Sequence, residues 1–123
     1  MIPMRQLHTP VYNREQILNS IGSEEATNAI GAEFAKRAPD IIAQLKLTFN
    51  QEDYSTMQLL SLKLATLAHS SGATQIAEFA KTIFQEVAED TPQDKDTIAI
   101  ALVYIQQSFQ EFLTILSRFT SVS

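Results

Sequence analysis

The chain of 123 residues contains no cysteine and only three glycines and four prolines. The lack of cysteine excludes disulfides, thiolate nucleophiles and any zinc or iron–sulfur site with cysteine ligands. The low glycine and proline content favours helices, so the predicted fold class is all-α. A chain of this length can bury a core of its own, which indicates a single domain.

Long apolar runs and an excess of positive charge are also missing. No stretch reaches the roughly 18 consecutive apolar residues of a membrane span, and residues 1–10 lack the apolar core of a signal peptide. We therefore expect a cytoplasmic protein with no membrane partner. The net charge of -5 disfavours a nucleic-acid binder, which normally carries a clustered basic face. A protein partner is favoured, and no motif indicates a cofactor or a small-molecule substrate.

Helix boundary signals divide the chain into one short and four long helical segments. Asn13, followed three residues later by Gln16, resembles a capping box and predicts a first helix that ends near Ile21. Gly22 and Ser23 predict the end of that helix and the cap of the next. Residues 1–12 are predicted to be an extended lead-in and residues 120–123 a frayed tail, so the domain spans residues 13–119.

Each long segment carries one apolar stripe. The second segment contains Pro39, and proline normally kinks a helix. The apolar stripe continues on both sides of Pro39, however, which predicts one helix. Asp53 predicts the cap of a third helix that ends near Ser70 and is closed by Gly72. Helices joined by such short breaks predict an antiparallel up-down four-helix bundle with a short extra N-terminal helix. The stripes of the last two helices are Ile76, Phe79, Ala80, Ile83, Phe84 and Val87, then Ile98, Leu102, Ile105, Phe109, Phe112, Leu113 and Leu116.

Two leucines of the third segment face away from its predicted core. On a helical wheel, Leu62 lies roughly 160° from the centre of the core stripe, and Leu59, Thr66 and His69 share its side. The leucines either form an exposed docking patch or are covered by the N-terminal segment, and both alternatives stay open. The core stripe consists of Met57, Leu60, Ser61, Leu64, Leu67 and Ala68.

The second segment has Phe34, then Ala38-Pro39, Ile41-Ile42 and Leu45, and the third begins after Asp53 with Tyr54 and continues through Leu64 to Gly72-Ala73. This pattern resembles the histidine-phosphotransfer (HPt) domain family of two-component phosphorelays. That family has an acidic residue with an aromatic, a His-x-Leu-Lys-Gly motif and a Gly-Ala pair; its preceding helix has Phe followed by Ala-Pro-x-Leu-Leu-x-x-Leu. The likeness covers about residues 13 to 118.

The departures from the family pattern fall on its chemical positions. Leu62 stands where the family has its phosphoacceptor histidine, Ala65 where it has lysine, and Thr66 where it has a small glycine or serine. Leucine cannot carry a phosphoryl group as an imidazole nitrogen does. The resemblance therefore implies an HPt-like fold without a catalytic residue, a pseudo-HPt. Such a protein would bind a response-regulator receiver domain or a hybrid sensor kinase through Leu59, Leu62, Thr66 and His69.

Two alternatives remain. The first is an active phosphoryl carrier through His69, which lies two helical turns beyond Leu62 on nearly the same face. The simpler interpretation of His69 is an exposed residue at a helix end, where a cation is favoured. The second alternative is a helical interaction or oligomerisation protein unrelated to phosphorelays, in which a dimer buries Leu59 and Leu62. No metal site is expected, because the two histidines are far apart and no Glu-x-x-His pair exists. Enzymatic activity is expected only in the carrier alternative.

Overall fold

The computed structural model describes residues 9–88 and 94–120, and these ranges fold into a bundle of five helices. No strand occurs in either range, so the all-α prediction is confirmed. The last helix ends at Thr120, one residue beyond the predicted domain end, and residues 1–8 of the lead-in and 121–123 of the tail lie outside the described chain. The helices are α1 (Arg14–Ile21), α2 (Glu24–Asn50), α3 (Tyr54–Ser70), α4 (Thr74–Glu86) and α5 (Lys95–Thr120).

Local signals in the sequence explain the predicted helix ends. Gly22 adopts φ 78°, a left-handed conformation that glycine reaches without steric cost, and α1 stops there. The Ser23 hydroxyl accepts a hydrogen bond from the backbone N–H of Ala26 at 3.1 Å, which caps α2. The Asp53 carboxylate accepts from the N–H of Thr56 at 3.2 Å and caps α3. These three predicted boundaries are confirmed.

The predicted capping box at the start of α1 is wrong in its detail. The Asn13 side-chain amide donates to the Gln16 side chain at 2.9 Å, and Asn13 makes no side-chain cap to the backbone. The two polar side chains therefore bond each other, whereas a capping box would bond the free N–H groups of the helix.

Pro39 does not interrupt α2. The helix runs from Glu24 to Asn50 through this residue, as predicted. Proline lacks an N–H, so the carbonyl four residues earlier has no helical partner at this point. The residues on both sides of Pro39 pack into the same core, which keeps the helix continuous; the buried residues are Phe34 and Ala38 before it and Ile41 and Leu45 after it.

The helices of the bundle pack around an aromatic core. α3 and α5 each contact both α2 and α4, and α1 contacts α2. The ring of Phe34 in α2 meets the rings of Phe109 and Phe112 in α5 edge-on, with centroid distances of 6.1 and 5.1 Å. This edge-to-face arrangement is the favoured geometry for aromatic pairs.

α5 is the one helix of the described chain that is long and apolar enough, by length and composition alone, to cross a membrane. A helix in the core of a bundle has the same composition, and α5 contributes buried residues to the core along most of its length. These buried residues are Ile98, Ala101, Leu102, Ile105, Ser108, Phe109, Phe112 and Leu116.

The last residues of the lead-in, together with Asn13 after it, bind the connection between α3 and α4. The backbone N–H of Asn13 donates to the carbonyl of Gly72 at 2.7 Å, and the N–H of Gln75 donates to the carbonyl of Pro10 at 3.1 Å. Between these two bonds, the ring of Tyr12 packs on Phe112, 4.5 Å between centroids. The lead-in therefore closes one end of the bundle.

Arg14 fastens the start of α1 to the same end of the bundle. Its guanidinium donates two hydrogen bonds to the Asn28 side-chain oxygen, at 2.8 and 3.1 Å, and pairs with Glu24 at 3.3 Å. The guanidinium also lies over the ring of Phe119, 4.1 Å from its centroid. Such a cation–π contact adds to the charged hydrogen bonds, so Arg14 joins α1, α2 and the end of α5.

Candidate functional site

α3 buries the face that its apolar periodicity predicts. Met57, Ser61, Leu64 and Ala68 are buried, and the rest of the predicted stripe is half-buried. On the opposite side Leu59 is 69% exposed and Leu62 48% exposed. A helix whose apolar residues served only the core would carry polar side chains on that side.

The lead-in does not cover these leucines with any of its described residues. Residues 9–13 lie against Gly72, Gln75 and Phe112, at the far end of α3 from Leu59. The alternative that the N-terminal segment folds over Leu59 and Leu62 therefore fails for residues 9–13, and residues 1–8 lie outside the described chain.

Three of the four predicted site residues line one groove between α3 and α4. Leu62, Thr66 and His69 follow each other along its α3 wall, and the groove encloses about 550 Å³. Leu59, one turn before Leu62, is exposed but does not line the groove. The complete lining is Leu62, Ala65, Thr66, His69 and Ser70 from α3 with Ala77, Glu78, Lys81 and Phe84 from α4.

The α4 wall contains residues that the sequence did not assign to the site. The apolar periodicity predicts Phe84 in the core stripe of α4, but Phe84 is half-buried and lines the groove, as does Lys81. The signal for this wall is present in the sequence: Ala77, Lys81 and Phe84 are spaced by four and three residues, so they form one edge of the helix beside the buried stripe.

The charge of the α3 face differs from that of the whole chain. α3 contains no aspartate or glutamate, and its ionisable side chains besides Tyr54 are Lys63 and His69. Across the groove, α4 supplies Lys81 and Glu78. Within the described chain neither Lys63 nor Lys81 forms a salt bridge. A protein of net charge -5 thus presents here a face without net negative charge.

Polar contacts at both ends of α3 hold the groove in place. Near its start, the Gln58 side chain donates to the carbonyl of Ala88 after α4, at 3.2 Å. At its end, the N–H of Gly72 donates to the carbonyl of His69 at 3.2 Å. Gly72 adopts φ 83°, and a Cβ there would lie 3.0 Å from a side-chain carbon of Ile17. A side chain at this turn would be strained and crowded.

The groove offers apolar contact and few reactive groups. Leu62 is not a nucleophile, and no carboxylate is hydrogen-bonded to His69 in residues 9–88 and 94–120. A nucleophile with its base and an orienting partner is the minimum arrangement for covalent catalysis. No group of three His, Asp or Glu side chains that could hold a metal ion occurs in the same ranges.

A second groove lies between α2 and α5. It measures about 420 Å³ and has Phe49 and Leu102 in its lining. The Lys46 ammonium crosses from α2 to donate to the Gln106 side chain of α5 at 2.6 Å. No hydrogen bond between side chains spans the α3–α4 groove in the described chain.

Comparison with known proteins adds no relative: no protein-family model, curated protein or solved structure matches the chain.

Proposed function

We propose that the chain is an HPt-like protein of a bacterial two-component phosphorelay and acts as a pseudo-HPt. It binds a response-regulator receiver domain or a hybrid sensor kinase through Leu59, Leu62, Thr66 and His69 and carries no phosphate itself. One observation carries the proposal. Leu62 occupies the position that the resemblance assigns to the phosphoacceptor, and it is 48% exposed in a groove that also contains Thr66 and His69.

The antiparallel up-down topology of an HPt domain is part of this proposal. Near the start of α2, Asn28 donates to the carbonyl of Phe119 near the end of α5, at 3.2 Å. Near the end of α2, Lys46 contacts Gln106, which precedes Phe119 in α5. Contacts in this order favour opposite directions for α2 and α5, and the short turns between α2, α3 and α4 favour antiparallel neighbours.

The exposed leucines supply the energetic basis for binding. A leucine side chain gains roughly 1.5–3 kcal/mol when it moves fully from water to an apolar contact, so half-exposed Leu62 has a substantial part of that gain left for a partner. The α3 face also lacks carboxylates, whereas the chain as a whole is acidic. A partner with an acidic rim is therefore repelled less here than elsewhere on the protein.

A binding experiment with matched variants tests the proposal. Receiver domains and hybrid kinases from the same organism are titrated with the native protein, with Leu62→Asp and with Val103→Asp. Val103 is a suitable control, because it is 54% exposed in the middle of α5 and lies outside the α3–α4 groove. We expect Leu62→Asp to weaken binding about tenfold or more, as for a central contact residue, and Val103→Asp to leave it unchanged. Absence of any binding, or equal binding by the two variants, contradicts the proposal.

An active carrier is the second candidate, because His69 is exposed in the same groove as Leu62. Incubation with phosphoramidate followed by intact-mass measurement distinguishes the two, with a histidine-bearing HPt domain as positive control. The pseudo-HPt proposal expects no added phosphate when the control is phosphorylated. One acid-labile phosphate that disappears in His69→Gln would establish the carrier.

The oligomerisation alternative makes a different prediction for the same leucines. A dimer that buries Leu59 and Leu62 would dissociate in Leu62→Asp, which light scattering after size exclusion measures directly. The pseudo-HPt proposal expects the same molar mass for the native protein and this variant.

A further inference from the structure

The N-terminal strap, which we define as residues 9–21, contains an unusual buried hydroxyl. Tyr12 is 9% exposed, and its hydroxyl is the one buried side-chain polar atom in the described chain without a hydrogen-bond partner. The space around it is tight: a Cβ added to Gly31 would lie 2.9 Å from the Tyr12 oxygen. Burial also raises the pKa of this phenol. A phenylalanine would fill the pocket without these costs.

The strap is held less firmly than the four long helices. α1 has no buried residue and packs mainly against α2. Its docking depends on the ring of Tyr12, the half-buried side chain of Val11, the polar contacts of Arg14 and a few backbone hydrogen bonds. An unpaired buried hydroxyl subtracts from this docking, because a donor that loses its water without gaining a partner is destabilised. Elements with few buried apolar contacts open first in folded proteins.

The strap is bonded to the turn that joins the two walls of the α3–α4 groove. The N–H of Asn13 donates to the carbonyl of Gly72, and the N–H of Gly72 donates to the carbonyl of His69. On the other side of the turn, the N–H of Gln75 donates to the carbonyl of Pro10. The groove lining ends at Ser70, just before this turn, and resumes at Ala77, one helical turn into α4.

We propose that the strap is a reversible latch, which opens without unfolding the bundle and changes the shape of the α3–α4 groove through the turn at Gly72. The Tyr12 hydroxyl keeps the docked state from being fully favoured. Because coupling between two sites is reciprocal, a partner in the groove changes the opening of the strap by the same factor. This last step rests on the proposed function, whereas the opening of the strap and its effect on His69 do not.

Amide hydrogen exchange measured by NMR tests the opening step. We expect the N–H of Asn13 to exchange faster than that of Leu64 in the core, and to slow about tenfold in Tyr12→Phe. Tyr54→Phe is the matched control: Tyr54 is 8% exposed, and its hydroxyl contacts Glu52 at 3.4 Å, far from the strap. It should leave the Asn13 rate unchanged. Exchange of Asn13 at the rate of Leu64, or no slowing in Tyr12→Phe, overturns the latch.

The ring-proton signal of His69 tests the coupling to the groove without any partner. We expect Tyr12→Phe and Tyr12→Ala to move this signal in opposite directions, because one variant favours the docked strap and the other the open strap. If Tyr12→Ala does not fold, Tyr12→Phe alone decides the outcome by comparison with the native protein. An unmoved signal overturns the coupling, and a receiver that fails to bind contradicts only the proposed function.

Discussion

The strap end of the bundle and the α3–α4 groove both begin as apolar surfaces, but the chain covers only the first. At the strap end, Tyr12 packs on Phe112 and Arg14 stacks on Phe119. In the groove, Leu62 remains 48% exposed, and no described residue of the lead-in reaches it. Surface that the chain covers contributes to its own stability, and surface that it leaves open is available for recognition. Variants at the strap end should therefore mainly lower the stability of the fold, and variants in the groove should mainly weaken binding to a partner.

The largest expected difference concerns core truncation under the strap. Phe112 is fully buried and contacts the rings of Tyr12 and Phe34, so Phe112→Ala should reduce the free energy of unfolding by about 3–5 kcal/mol. Leu62→Ser in the groove should change it by no more than about 0.5 kcal/mol. Urea unfolding of both variants measures these values. A large loss in Leu62→Ser would mean that the groove residue stabilises the fold itself.

A smaller effect is expected when the space under the strap is reduced. The Cβ of Gly31→Ala would lie 2.8 Å from a Leu116 methyl carbon and 2.9 Å from the Tyr12 oxygen, so this variant should lose about 1–3 kcal/mol. Tyr12→Phe removes one of these two contacts and should restore part of the loss. A double-mutant cycle gives the coupling between the two positions, and exact additivity would contradict a shared pocket.

High pH should act first on the strap end and reach the groove only through the turn at Gly72. Burial raises the pKa of Tyr12, although the nearby Arg14 lowers it, so the folded protein favours the neutral phenol. The resulting stability is complete below the ordinary tyrosine pKa of about 10 and is lost as the pH rises through the higher folded value. We expect faster exchange of residues 9–21 in that range, measured by mass spectrometry at short times. Tyr12→Phe should abolish this pH dependence, and its persistence would point to another group.

The smallest effect is expected at a pair that lies in neither region. Glu52, between α2 and α3, accepts a hydrogen bond from Lys95 at 2.8 Å; this bond and the lysine charge lower the pKa of Glu52. Its stabilisation is present above the ordinary glutamate pKa and lost as the pH falls through the lower folded value. Because both side chains are exposed, solvent screens the interaction. Lys95→Met should slightly weaken the acid dependence of the melting temperature, with no change in strap exchange.

The features predicted correctly from the sequence have local causes. The end of α1 at Gly22 and the caps at Ser23 and Asp53 each depend on residues within one turn. The exposed side of α3 follows from periodicity, because a residue far from the core stripe on the wheel faces outward whatever the neighbouring helix is. Leu62 was placed correctly on that side for this reason.

The features that could not be predicted from the sequence depend on which residues lie next to each other in the fold. Phe84 lies at the edge of the apolar stripe of α4, and only the position of α3 decides that it lines a groove. The prediction of a capping box was wrong because the side chains of Asn13 and Gln16 hydrogen-bond each other and not the backbone. Residue types alone do not determine which of these bonds forms. The hydrogen bond between Asn13 and Gly72 is non-local in the same way, because it joins residues almost sixty positions apart.

The contact of Arg14 with the ring of Phe119 places the start of the first helix of the described chain next to the end of the last. A short linker could join the start of α1 to the end of α5, and new chain ends could be placed at the exposed turn of Gln51 and Glu52. Domains whose ends lie close together tolerate circular permutation and insertion into other proteins. The bundle is therefore suited to insertion as a domain into a surface loop of a host protein, with its α3–α4 face still exposed.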